Sequence, residues 1–204
     1  MEVIKIYPRG VGSNAYILTA DGENAVVIDP SDENIAYELE KRALICRCAL
    51  LTHGHFDHVG GCGKLYEQGV EIYCGEYEKD LIFSPEYLKM SDYAKVPFFE
   101  ITRTLKDNEI LDIFGMKITV MHTPGHSSGS VCYLVNDCLF TGDTLFKGSI
   151  GRFDFPSGDY GKLVDSLLRI KCLPGDYELF CGHGLTTTLN EERASNVFVK
   201  GLIC

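Results

Sequence analysis

Ala49-Leu50-Leu51-Thr52-His53-Gly54-His55-Phe56-Asp57-His58 is the stretch that decides how this chain folds. An apolar segment over 48–52 runs without a spacer into three imidazoles and a carboxylate. Near-continuous apolar character over so few residues predicts a strand buried on both faces. The polar residues beyond it form an H-x-H-x-D-H pattern, able to hold two metal ions side by side. The chain has six histidines and places half of them here. His53 and His55 alternate along extended chain and face one way. Asp57 and His58 fall at the start of the next helix and reach a neighbouring position.

Three further candidate ligands, distant from this run, each come directly after a strand signal. They are His126 in Thr123-Pro124-Gly125-His126, Asp143 in Thr141-Gly142-Asp143-Thr144, and His183 in Cys181-Gly182-His183-Gly184. A glycine beside each ligand lets backbone approach a crowded centre, and loops at one edge of a rigid sheet are where sites usually lie. A lone His183 or Asp143 is ordinarily a core or turn residue, so their weight comes from co-occurrence at strand ends. Five histidines and two aspartates exceed the need of one tetrahedral ion. They suit two ions about 3.5–4 Å apart that share a carboxylate. Imidazole with carboxylate favours two Zn²⁺ per chain, with Fe or Mn compatible. His122, on the strand before Pro124, is assigned a role in packing or in orienting a ligand from outside, not in ligation.

Early strands are predicted over 3–7, 15–19 and 25–28, then a helix over 32–43 with Ser31 as N-cap and Ile35, Leu39 and Ala43 on one face. After the metal run come a helix over 59–68 ended by Gly69 and a strand over 70–74. Residues 76–95 read as helical pieces broken by Ser84-Pro85 and Val96-Pro97. Strands are predicted next over 109–113, 116–122, 130–135 and 138–141, with Gly115 and Asn136-Asp137 as turns. A helix over 159–171 carries Tyr160, Leu163, Val164, Leu167 and Leu168 as a stripe. A strand over 177–181 and a closing helix from Thr188, with Glu191 completing a capping box, end the pattern. Two successive halves, each a meander, a helix and a last strand, predict an α+β fold: two packed mixed β-sheets with helices on both outer faces, in one domain over 1–204. The order shows no β-α-β rhythm of a doubly wound sheet.

Composition narrows the function classes. Apolar (45%) and charged (24%) content are those of an ordinary globular protein. No apolar stretch reaches the ~18 residues that span a bilayer, so no membrane role is expected. A net charge of −10 without a basic block argues against nucleic acid as partner. Nine cysteines, with no export signal at the N-terminus, read as reduced and buried thiols in a cytoplasmic protein. Cys46 and Cys48 are placed at a helix-to-strand junction, and Cys204 is the most exposed.

These motifs resemble the metallo-β-lactamase superfamily over nearly the whole chain, and the resemblance implies its αββα sandwich. It implies one metal held by His53, His55 and His126, a second by Asp57, His58 and His183, and Asp143 bridging both. Within the superfamily the chain looks like the short bacterial relatives of the glyoxalase II (hydroxyacylglutathione hydrolase) group. Thr123-Pro-Gly-His-Ser-Ser-Gly, Phe140-Thr-Gly-Asp-Thr-Leu-Phe, Gly182-His-Gly, Thr187-Thr188 and Glu191-Glu192-Arg193 carry that likeness. The chain ends before the C-terminal helical domain of full-length glyoxalase II. A Gly-Lys-Phe-Tyr segment that contacts glutathione in the family reads Gly151-Arg152-Phe153-Asp154, and the tyrosine expected after the last histidine is Leu185.

The implied function is a hydrolase cleaving a small-molecule acyl thioester, such as a hydroxyacylglutathione, by attack of a metal-bridging hydroxide. Asp57 orients that hydroxide besides binding metal, and Arg152 and Lys147 are candidates to attract a substrate carboxylate. The alternatives are a mononuclear iron persulfide dioxygenase, whose Gly-Arg-x-Asp-Phe segment matches Gly151 to Phe155, and a lactonase. An RNase Z-type nuclease wants a basic extension this chain lacks. Zinc merely bracing a binding module would sit in a closed four-ligand shell. A monomer or small homo-oligomer is expected.

Overall fold

A computed structural model describes residues 1–10, 12–90 and 98–204, and in it the chain forms two six-stranded sheets. The first takes β1 (Glu2–Ile6), β2 (Ala15–Thr19), β3 (Asn24–Ile28), β4 (Ile45–Leu50), β5 (Glu71–Gly75) and β6 (Arg103–Leu105) in sequence order. The strands β1 to β3 pair antiparallel, while β3 to β6 pair parallel. Parallel neighbours need crossovers, which α1 (Asn34–Lys41), then α2 (Phe56–Val59) with α3 (Cys62–Glu67), supply here. Counting the crossover between β5 and β6, three parallel connections through helices therefore do exist in the first half, where the sequence pattern suggested none.

After α4 (Lys79–Ile82) and α5 (Pro85–Met90) come β7 (Ile110–Ile113), β8 (Met116–His122), β9 (Val131–Val135) and β10 (Cys138–Gly142). A hairpin, β11 (Leu145–Phe146) with β12 (Ser149–Ile150), precedes α6 (Tyr160–Lys171). Next are β13 (Glu178–Cys181), β14 (Thr187–Thr188) and α7 (Leu189–Ser195). The second sheet has the order β14-β13-β10-β9-β8-β7, antiparallel except where α6 makes β13 parallel to β10.

The apolar residues fall into three layers, which is the expected αββα sandwich. Tyr16, Leu18, Val26, Cys48 and Leu50 meet Ile118, Val120, Tyr133, Phe140 and Phe180 between the sheets. Ala49 and Leu51 point the other way, with Ile35, Leu39, Val59 and Leu65 of the helices. That is why the run before the histidines is apolar at consecutive positions: both faces of the strand are inside. Leu163, Leu167, Ile170 and Leu189 cover the outer face of the second sheet.

Several local expectations need correction. Glu33, not Ser31, occupies the N-cap of α1, while Asp32 accepts the Asn34 N–H. Ala43 lies beyond that helix with φ 55° and is exposed. The helix expected over 59–68 is two, because Gly60 and Gly61 press onto the backbone of Ser31 and Asp32. On α6 the buried stripe is Leu163, Ser166, Leu167 and Ile170, leaving Tyr160 exposed. Thr188 caps α7 by accepting the Glu191 N–H, but the Glu191 carboxylate turns to Thr187 and Lys147, so only half the capping box forms. Cys46 and Cys48 lie within β4. Cys172 and Cys204 form a disulfide, contrary to nine reduced thiols, because the C-terminal segment folds back on the end of α6, where Lys171 Nζ donates to the carbonyls of Lys200 and Leu202. The Val96-Pro97 break lies outside the described residues. Among those described, no helix is long and apolar enough to cross a membrane.

Candidate metal centre

All candidate ligands stand at the same edge of the sandwich, because each comes after the end of a strand. Beyond β4, Thr52 donates its N–H (2.7 Å) and its hydroxyl (2.6 Å) to Asp29, and its carbonyl accepts the Val131 N–H at 2.8 Å. One residue thus ties the loop to both sheets and aims the buried His53 and His55 at the centre. The short α2 adds Asp57 and His58, the turn after β8 adds His126, β10 leads to Asp143, and β13 leads to His183. Gly142 takes a left-handed φ of 49° against the Thr52 side chain, a conformation and a space that favour glycine.

The side chains converge. His126 Nε2 lies 3.1 Å from His53 Nε2 and 2.8 Å from His55 Nδ1. Asp143 sits between this trio and the rest: Oδ2 is 3.6 Å from His126 Nε2 and 3.4 Å from His183 Nε2, and Oδ1 is 3.2 Å from His58 Nε2. Asp57 Oδ2 is 3.2 Å from His183 Nε2 and 3.9 Å from His58 Nε2. Three donor sets have ligand atoms within 4.8 Å of one another: His53, His55, His126; His53, His58, Asp143; and Asp57, His58, His183. His55 Nε2, His58 Nε2 and Asp143 Oδ1 are buried without a hydrogen-bond partner. Such orphaned polar atoms are costly unless something else satisfies them, and a cation does.

Outer contacts orient the rings. His58 Nδ1 donates to Asp29 Oδ2 at 2.8 Å and His126 Nδ1 donates to the Arg152 carbonyl at 2.6 Å. Each contact leaves Nε2 as the free lone pair facing inward. Burial drives His53 well below the ordinary imidazole pKa, helped by repulsion from His58 and His126. Burial takes His55 down to about 3 and also lowers His126. Burial opposes charge on His58, yet Asp143, Asp29 and Asp57 together hold its pKa well above the usual value. Hydrogen bonds to Asp143 and Asp57 raise His183 to about 9. For Asp143, burial is outweighed by His58 and His183, and its carboxyl stays well below the carboxylate range. Asp57 is lowered for a similar balance, burial against His58 and His183. His53, His55 and His126 are thus neutral beside ionised carboxylates, the donor state a divalent cation binds, whereas His58 and His183 release a proton when one binds.

The centre opens into a cavity of about 360 Å³, within the usual span of small-ligand sites. Besides the ligands, Phe56, Phe146, Ile150, Phe155 and Arg152 line it. Arg152 reaches the mouth, stacked 4.2 Å over Phe155 and paired with Asp154 through two 2.9 Å bonds. Lys147 is not among the lining residues, and its ammonium lies 3.3 Å from Glu191. His122 belongs to none of the ligand groups; its ring donates to the Ser128 carbonyl at 3.0 Å and lies tilted against Tyr77, centroids 5.1 Å apart.

The motifs did not single out Asp29, Tyr87 or Glu78. Asp29 comes after β3 as the ligands come after their strands, at a positive φ of 50°, and that shared position is the signal that could have found it. Tyr87 packs its ring 4.8 Å from that of His55. Glu78 is fully buried, and burial pushes its carboxyl up to about 7. Nothing in the sequence around Tyr87 and Glu78 distinguishes them.

Comparison with known proteins agrees with this geometry. A model of the metallo-beta-lactamase superfamily matches residues 8–183, a span that contains every candidate ligand. The hydroxyacylglutathione hydrolase GloC of Haemophilus influenzae is 38% identical over 198 residues, covering 92% of each chain. The crystal structure of the BLEG-1 B3 metallo-beta-lactamase superposes with a TM-score of 0.90 at 32% identity, over 98% of this chain and 100% of that one. TTHA1623 in a di-iron-bound form superposes with a TM-score of 0.85 at 33% identity, over 96% and 100%.

Proposed function

The chain belongs to the metallo-beta-lactamase superfamily, and from that membership we propose that it is a binuclear metal-dependent hydrolase cleaving a small-molecule acyl thioester. The observation that carries this reading is the doubled donor set, with Asp143 between His126 on one side and His58 and His183 on the other. The buried atoms without partners fit such a pair of cations. Zinc is the reading we favour from imidazole and carboxylate donors, and iron or manganese suits the same set. When bound, the cations supply Lewis acidity, lowering the pKa of water from 15.7 toward about 7 and stabilising charge on the acyl oxygen.

The chain's own groups do the rest. Asp57 faces the cavity as a carboxylate, placed to orient the attacking water and accept its proton. Phe56, Phe146, Ile150 and Phe155 keep bulk water from the acyl group. Arg152, a lining residue whose Nη1 is free of the Asp154 contact, is the candidate to attract a substrate carboxylate; Lys147, held by Glu191, is the weaker one. A thiolate departs without a strong general acid, consistent with the absence of a spare acid among the lining residues. The relative GloC bears the name hydroxyacylglutathione hydrolase, and a hydroxyacylglutathione is a thioester, which supports this bond class. A one-iron dioxygenase would leave Asp57, His58 and His183 without a task. We place the protein in the cytoplasm, acting as a single domain, on its seven free cysteines, although the Cys172–Cys204 disulfide counts against a reducing compartment.

The test is metal analysis with a screen of lactoylglutathione, other acyl thioesters, lactones and glutathione persulfide. Two metals per chain, thioester hydrolysis, and loss of turnover in Asp143→Ala are expected. One iron per chain with oxygen uptake on the persulfide, or full activity in Asp143→Ala, would overturn the proposal.

A further inference from the structure

We propose that Glu78 is a positioning residue for one half of the metal centre: its buried carboxyl clamps together the two loops that carry His53, His55 and His126. The inference rests on the two-metal reading above and adds a residue and a selectivity to it. Glu78 stands at the N-cap of α4 yet makes no capping bond. Its side chain turns inward instead. Oε1 accepts the Gly54 N–H at 2.8 Å, and Oε2 accepts the Ser127 hydroxyl at 2.7 Å. Gly54 lies between His53 and His55, and Ser127 is the residue after His126.

The Gly129 backbone lies against the same carboxyl, whose oxygens offer about four acceptor sites. The fit is close: a Cβ on Gly54 would lie 3.2 Å from Oε1, and one on Gly129 2.5 Å from Oε2. The first loop leaves the first sheet and the second joins strands of the other, so their relative setting is a matter of tertiary contact. That setting brings His126 Nε2 to 3.1 and 2.8 Å from its two companions. The other half is held by different groups. Asp29 orients His58, and the Gly182 N–H to Gly142 carbonyl bond joins the loops of His183 and Asp143. A carboxyl that costs free energy to bury is thus spent on the three-histidine set.

The experiment is calorimetric titration of Zn²⁺ into metal-free protein, with circular dichroism to verify folding. Glu78→Ala, Glu78→Gln and Ser127→Ala are each combined with His183→Ala, which leaves the three-histidine set, or with His55→Ala, which leaves the other. Glu78→Ala should weaken zinc about 10–100-fold in the first background, the range seen when outer-shell partners are lost, and less than about threefold in the second. Ser127→Ala should show the same split to a smaller degree, and Glu78→Gln should restore part of the loss. If Glu78→Ala does not fold, Ser127→Ala and Glu78→Gln decide by the same split. Equal losses in both backgrounds, or none, overturn the clamp while leaving the two-metal reading intact. A wild-type protein that binds no zinc removes both.

Discussion

Replacing Gly182 by alanine tests the centre with a single methyl group. Gly182 has no left-handed φ, so its backbone accepts alanine and the cost is steric. The new Cβ would overlap Asp143 Oδ1 and lie 2.8 Å from His58 Cε1. Gly182 cannot retreat, since its N–H donates to the Gly142 carbonyl at 2.8 Å and its carbonyl accepts the Asn14 N–H at 2.7 Å. The Asp143 carboxylate must therefore give way by about 1 Å, a misplacement that typically costs about 100-fold in rate. That loss equals about 2.7 kcal/mol of transition-state stabilisation, alongside about 1–3 kcal/mol of stability for overpacking. The assay is steady-state thioester hydrolysis with metal content measured on the same sample. Gly201→Ala is the control, because its Cβ meets nothing within 4 Å. Gly182→Ala retaining both metals and a kcat/KM within about threefold of wild type would refute the steric argument.

The outer contacts lead to two more expected outcomes. Asp29→Ala removes the acceptor for His58 Nδ1 and for both Thr52 donors, and should lower zinc affinity about 10–100-fold in competition with a chromophoric chelator; unchanged affinity counts against the assigned role. Burial raises the Glu78 carboxyl from 4.5 to about 7. A raised folded-state pKa means stability present below pH 4.5 and lost as pH climbs through 7, a loss of about 3 kcal/mol in metal-free protein. Glu78→Gln should flatten that fall in urea denaturation between pH 5 and 8, and an equal slope in both proteins would contradict it.

The seven side chains that meet at the centre are those the motifs single out, because metal ligation demands particular residue types at fixed spacings and writes itself into local sequence. The layered fold was legible for a related reason. Ala49, Leu50 and Leu51 are apolar at consecutive positions only because two cores flank one strand. Local boundaries were less legible. Gly60 and Gly61 fall inside the helix predicted over 59–68, and only the approach of Ser31 and Asp32 shows why it divides there.

The sandwich and the side chains that gather at the centre could be read along the chain, since periodicity and ligand type are properties of neighbouring residues. Other features exist only once the chain has packed. Folding joins Asp29 to His58 across 29 positions and Glu78 to Ser127 across 49. It also binds Lys147 to Glu191 and brings Cys172 to Cys204. One cause underlies all four: a hydrogen bond, an ion pair or a disulfide between distant segments depends on where the packed layers bring them, and no local pattern in the chain records that placement.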